Sequence, residues 1–148
     1  LRMLYDTYKP ILLKVSPDLA KEQLDDIVNY CLRSGIDGIV AGNTTRSRDG
    51  LTTISQERID EIGNGGMSGA PVHKKNLELV RYIHSKSEGR LPIIGVGGIM
   101  SPEDAKEMLD AGASLVEIYS GFIFEGPGLI KRIIKYLENS QKPAAEKK

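Results

Sequence analysis

Cysteine occurs once in these 148 residues, as Cys31, and histidine only twice. A lone cysteine excludes an internal disulfide framework, and with two histidines it leaves too few ligands for a Cys/His zinc site. Charge of one sign is lacking as well. Twenty basic residues balance twenty acidic ones, so no global field points to nucleic acid or to an anionic membrane surface. No apolar run approaches the roughly 18 residues of a membrane span, and the first ten residues carry no signal-peptide pattern. What remains is the composition of a globular domain, 40% hydrophobic and 27% charged, with a length that fits one domain over residues 1–148. The chain opens on Leu1 and reaches a proline-led apolar strand within ten residues, which predicts further sequence upstream. Residues 141–148 are polar and charged and read as a frayed tail.

Short apolar runs alternate with amphipathic helical stretches. The first run, Pro10 to Val15, is apolar enough for a strand buried on both faces. A helix follows, with Asp18 as its expected N-cap, Leu24, Ile27, Val28, Cys31 and Leu32 on one face, and Gly35 at the C-cap. A second strand covers Ile36 to Ala41. A long glycine-bearing loop runs from Gly42 to about Pro71, a length that is usually functional or disordered. Within it, Gln56 to Ile62 reads as a short strand or turn. A second helix spans Asn76 to Lys86, and a third strand Pro92 to Val96. The third helix opens with Ser101 as N-cap, Pro102 at its first position and Asp104 completing the box, and Gly112 closes it. A fourth strand covers Ser114 to Tyr119, and a last helix uses Leu129, Ile130, Ile133, Ile134 and Leu137. Ser16 to Asp26 echoes Ser101 to Ala111, as expected of repeated βα units or of two well-capped helices.

Four βα units of this kind build a parallel sheet. Two α/β architectures fit: a small doubly wound sheet, or half of an eight-unit (β/α) barrel of about 250 residues. The barrel is favoured because glycines and polar residues gather at the carboxyl ends of the strands, at Ser16, Gly42 to Thr45, Gly97–Gly98 and Ser120–Gly121. Those ends carry the active face of a barrel, although an open sheet also places ligands there.

Gly95-Val-Gly-Gly98, between a strand and a capped helix, suits close approach of backbone N–H groups to an anion, or a tight turn. It lacks the third glycine of the dinucleotide fingerprint. The next strand ends in Tyr119-Ser120-Gly121, so two glycine-bearing ends are neighbours and predict a ligand with one terminal phosphate. Gly65-Gly-Met-Ser-Gly-Ala-Pro71 is a further donor-rich loop, or a flexible surface loop, in which Ser68 and Gly69 are the candidates. Lys14 is a lone charge in an apolar strand. Because an unpaired buried lysine is costly, it is expected at the barrel mouth against an anionic or electron-rich ligand, or at a sheet edge. Asn43-Thr44-Thr45 suits a planar polar ligand or a capped turn. Cys31, His73 and His84 are assigned to packing or surface roles, with both histidines far from the strand ends.

Taken together, Ile11-Leu-Leu-Lys14-Val-Ser-Pro-Asp18, Asp37 to Arg48, Gly65 to Pro71, Pro92 to Gly98 and Ala111 to Tyr119 resemble the dihydroorotate dehydrogenase family. The Asn-Thr-Thr and Gly-Met-Ser-Gly-Ala-Pro segments resemble its second, quinone-dependent class. The resemblance runs from about Pro10 to Leu137 and implies the carboxyl-terminal half of a TIM barrel that binds FMN. It implies oxidation of dihydroorotate to orotate in pyrimidine biosynthesis, with a quinone as acceptor and peripheral membrane association of a cytoplasmic protein. It places Lys14 and Gly42 at the flavin, and Asn43 and Thr44 at the substrate. Ser68, Gly69, Gly97, Gly98, Tyr119 and Ser120 fall at the FMN, chiefly its phosphate. Two positions depart from the family: Gly42 and Ser120 stand where threonine is usual, and the first departure removes a side chain from the flavin. The resemblance places the catalytic base and the quinone site upstream, so no catalytic residue is assigned here. The alternatives are another phosphate-binding barrel and a non-catalytic half-barrel that self-associates through exposed strand edges.

Overall fold

The computed structural model describes residues 8–49, 51 and 54–141. The predicted tail from residue 142 onward and the first seven residues lie outside the described region. Four strands form one parallel sheet in the order β1-β2-β3-β4: β1 (Leu12–Val15), β2 (Gly38–Ala41), β3 (Ile93–Val96) and β4 (Leu115–Glu117). Each lies inside its predicted run and is shorter by one to three residues. Helices α1 (Lys21–Ser34), α3 (His73–Lys86) and α4 (Pro102–Asp110) connect them, and α6 (Gly128–Gln141) follows the last. None of the described helices is long and apolar enough to cross a membrane.

The register sets which side chains share a face. Lys14 pairs with Val40, Val40 with Ile94, and Ile94 with Leu115. Because side chains alternate along a strand, this row lies on one face, and Leu13, Val15, Ile39, Ala41 and Ile93 lie on the other. The second face is covered by the helices. Ile39, Ile93, Val28, Val80, Ile83 and Met108 are all at most 1% exposed there, and burying a side chain of this size contributes about 1.5–3 kcal/mol. The first face is open among the described residues: Leu12 is 39% and Leu115 63% exposed. The prediction that the first strand is buried on both faces is therefore wrong for this chain. One face of β1 contributes Val15 to the helix-covered core, while the other is left open by the described residues.

The predicted cap of the third helix holds in full. Ser101 Oγ accepts from the Asp104 amide at 3.1 Å, and Asp104 Oδ2 accepts from the Ser101 amide at 2.9 Å. The cap predicted for the first helix does not hold. Its N-cap is Ala20, whose amide donates to Gln23 Oε1 at 3.0 Å. Asp18 is taken up by partners far along the chain. The long loop is also more regular than predicted. Gln56–Ile62 forms a helix, α2, capped by Ser55, and a 3-10 turn at Ala70–Val72 leads into α3 three residues earlier than expected.

Candidate active site

All ten candidate residues converge. Lys14, Gly42, Asn43, Thr44, Ser68, Gly69, Gly97, Gly98, Tyr119 and Ser120 line one cavity of about 210 Å³ at the carboxyl ends of the strands, with Val72, Val96, Ile99, Glu117 and Gly121 completing its wall. Lys14 enters from the open face of β1. The strand end of β2 turns sharply at Gly42, whose amide donates to the Val96 carbonyl at 3.1 Å. Asn43 folds back so that its Oδ1 accepts from the Thr44 amide at 2.8 Å. The Asn-Thr-Thr cluster therefore divides: Asn43 and Thr44 face the cavity, whereas Thr45 is 1% exposed and turned away from it.

The glycines are where side chains have no room. Gly97 and Gly98 have φ of +113° and +74°, backbone that residues with a Cβ rarely adopt. A Cβ on Gly98 would meet the backbone nitrogen of His73 at 2.6 Å. This places His73 beside the β3 strand end, not far from it as predicted. Its ring is 15% exposed and its Nε2 lies 3.2 Å from Glu107. His84 is a packing residue, with its ring against Gly89 and Gly112. Across the cavity, Ser120 Oγ lies 3.3 Å from Ser68 Oγ. Ser120 opens α5 (Ser120–Glu125), a short extra helix with Tyr119, 75% exposed, at its N-cap. Two hydroxyls, the Gly97–Gly98 backbone, Lys14, Asn43 and Thr44 thus border one cavity.

Sequence reasoning missed a clasp behind the site. Asp18 Oδ1 accepts from Thr45 Oγ1 and from Lys75 Nζ, each at 2.5 Å, and Oδ2 accepts from the Arg46 amide at 2.7 Å. A bridge between Thr45 and Met67 ties this segment to the Gly65–Pro71 loop. The only available signal was Asp18 itself, and its place next to a helix pointed to the wrong partner. Burial pushes the Asp18 carboxyl up, but the hydrogen bonds from Lys75, Thr45 and Arg46 outweigh it and hold the pKa at about 2, from an ordinary 3.8. A lowered folded-state value stabilises above the unfolded value, so the contribution is present above about pH 4 and fades as pH falls through 3.8 toward about 2. Asp18→Asn should lower stability at neutral pH by about 1–2 kcal/mol, a figure that discounts the partly exposed pair. It should also flatten the acid limb of the thermal midpoint against pH. An acid limb identical to that of the parent protein would show that the clasp contributes nothing.

The sequence pattern of dihydroorotate dehydrogenase matches residues 3–140. The chain belongs to the dihydroorotate dehydrogenase family. Among its curated relatives, the dihydroorotate dehydrogenase (quinone) of Christiangramia forsetii is 51% identical over 125 residues, 84% of this chain and 35% of that protein. The dihydroorotate dehydrogenase (quinone) of Salinispora arenicola is 46% identical over 123 residues, 83% of this chain and 36% of that protein. Among solved structures, the DHODH of Eimeria tenella in complex with ferulenol superposes with a TM-score of 0.81 at 32% identity, covering 91% of this chain and 35% of that one. The ligand-free form gives 0.79 at the same identity, over 87% of this chain and 34% of that one. The chain thus spans a little over a third of the length of the curated relatives it matches. Its parallel sheet is four βα units of the dihydroorotate dehydrogenase barrel, which decides between the two architectures that the sequence left open.

Proposed function

We propose that these residues form the carboxyl-terminal half of the FMN-binding barrel domain of a quinone-dependent dihydroorotate dehydrogenase, acting in pyrimidine biosynthesis. The observation that carries this reading is the single cavity in which four strand ends bring together Lys14, the Asn43–Thr44 pair and the glycine–serine cup. The cavity suits FMN in its chemistry. The cup at Ser68, Gly69, Gly97, Gly98 and Ser120 offers hydroxyls and close backbone approach to one terminal phosphate, with Tyr119 alongside. Lys14 offers a positive charge to an isoalloxazine ring, and the Gly42 backbone forms part of the wall beside it.

The bound flavin would supply hydride acceptance from dihydroorotate and electron transfer to the quinone. The residues of this chain bind and orient. Asn43 and Thr44 present amide and hydroxyl groups to the carbonyl and N–H edges of the pyrimidine, and the clasp at Asp18 and Lys75 holds the segment that carries them. Lys14 stabilises negative charge at the ring. The base that takes the proton from the substrate, the quinone site and the peripheral membrane contact are proposed to lie outside these residues. The described residues present an open face and two strand edges, and we propose that the 148-residue chain on its own self-associates through them.

The test uses a protein of the full length of its relatives. It should purify with one flavin released as FMN on denaturation. Under anaerobic conditions the visible flavin absorbance should bleach on adding dihydroorotate and return on adding a soluble quinone. A protein that binds inorganic phosphate or a sugar phosphate but no flavin would instead favour a different phosphate-binding barrel enzyme, and FMN that dihydroorotate does not reduce would overturn the substrate assignment.

A further inference from the structure

Asn76 stands on the first turn of α3, behind the cavity wall, and the proposed chemistry makes no use of it. It is fully buried. Its Nδ2 donates to the Asn43 carbonyl at 3.3 Å, while its Oδ1 is buried without a hydrogen-bond partner. A Cβ built on Gly42 would fall on Oδ1, and one built on Gly97 would fall on Nδ2, both well inside van der Waals contact. The carboxamide is therefore clamped between two glycines of the cavity wall. Its other neighbours there are apolar: Leu79 Cδ2 is 3.0 Å from the Gly42 Cβ position and Val72 Cγ2 is 3.4 Å from that of Gly97.

A buried polar atom left unpaired costs about 1–3 kcal/mol, and an apolar side chain of similar size would avoid that cost. The carboxamide has two effects on the wall that such a side chain would not combine. It takes the volume that a side chain at position 42 would need, and it fixes the carbonyl of the residue that carries the substrate-facing amide. The preceding residue, Lys75, holds the other end of the same tripeptide through Thr45 at 3.1 Å. Two consecutive residues of α3 thus grip Asn43 and Thr45, one at each end.

We propose that Asn76 is a positioning residue for the ligand wall: through Gly42, Gly97 and the Asn43 carbonyl it sets where the Asn43–Thr44 pair meets the substrate, and its presence requires glycine at position 42. The proposal rests on reading the cavity as a flavin and dihydroorotate site.

The test compares Asn76→Ala, Gly42→Ala and the double variant in the full-length flavoprotein, measuring FMN occupancy, KM and kcat for dihydroorotate, and the thermal midpoint. Asn76→Ala should raise KM about three- to tenfold, the loss of roughly one hydrogen bond, and change kcat of the flavin-loaded fraction much less. Gly42→Ala alone should lose most of its FMN, and the double variant should recover occupancy to that of Asn76→Ala. An unchanged KM in Asn76→Ala, with only the thermal midpoint lowered, would reduce the residue to packing and overturn the proposal. So would a Gly42→Ala defect that is the same with and without Asn76. If Asn76→Ala does not fold, Asn76→Ser, which retains a small donor, is read by the same criteria. A parent protein without FMN, or without turnover of dihydroorotate, would sink the reading of the site and not this contact. The contact would then be judged by the thermal midpoints, where the double variant should exceed Gly42→Ala.

Discussion

Gly98→Ala is expected to destabilise the protein by about 3 kcal/mol or more and to empty the phosphate end of the cavity. Two costs add. A Cβ at φ +74° costs about 1–2 kcal/mol in backbone strain, and overpacking typically costs a further 1–3 kcal/mol. Here the crowding atoms are the nitrogen, Cα and Cβ of His73, at 2.6 to 2.7 Å. Backbone atoms cannot rotate away as a side chain end could, so β3 and α3 would have to separate. That gap is where the two glycine-bearing loops meet, so ligand retention should fall with stability. Gly65→Ala is the matched control, because a Cβ there has nothing within 4 Å. Thermal unfolding of both variants, with the released ligand quantified, checks the claim. Equal effects at the two positions would show that the close approach of Gly98 to His73 is unimportant.

Lys14→Ala carries the second large effect, on the ligand and not on the fold. The ion-paired lysines among the described residues are Lys75, Lys86 and Lys106. Lys14 instead lies on the open face of β1 and lines the cavity. Removing it should leave the helix-covered core intact and change the thermal midpoint little. Loss of one charge-assisted contact of about 1.5–3 kcal/mol should weaken flavin binding roughly 10- to 100-fold. The remaining flavin should be harder to reduce, since its anionic reduced form loses a nearby cation. Titration of the apoprotein with FMN and a redox titration of the loaded protein give the two readouts. Unchanged affinity together with an unchanged potential would remove Lys14 from the flavin site.

Much of this arrangement was legible in the sequence because it rests on local signals. Strands appear as apolar runs, the α4 cap as Ser-Pro-x-Asp, and the cavity as glycines following strands. What escaped depends on contacts between residues far apart in the chain. Asp18 lies next to a helix and is a good N-cap residue type, yet its carboxylate is better satisfied by Thr45, Arg46 and Lys75, 27 to 57 residues away. Asn76 is one polar residue among several at the start of a helix, and only the packing of Gly42 and Gly97 against it gives it a role. His73 reaches the β3 strand end because α3 begins at His73 and not at Asn76, and the 3-10 turn that delivers it to Gly98 has no periodic pattern of its own. The doubly buried reading of β1 went wrong for a different reason. An apolar strand shows that both faces want cover, but not whether the cover lies within the same 148 residues.

The Thr45–Met67 bridge has a consequence for how this region can vary. The two bridging residues exchange backbone hydrogen bonds at 3.1 and 2.7 Å, so the chain leaves the cavity and returns to it at one point. Between them, α2 contributes no buried residue. The cost of closing a loop grows only slowly with its length. The middle of the excursion is therefore a cassette. Its neck is fixed, because the Arg46 amide holds Asp18, Arg48 donates to the Gly65 carbonyl and a Cβ at Gly66 would strike Thr44. Between these residues, length and composition are free to drift, or to be replaced by an affinity tag or a fluorescent reporter.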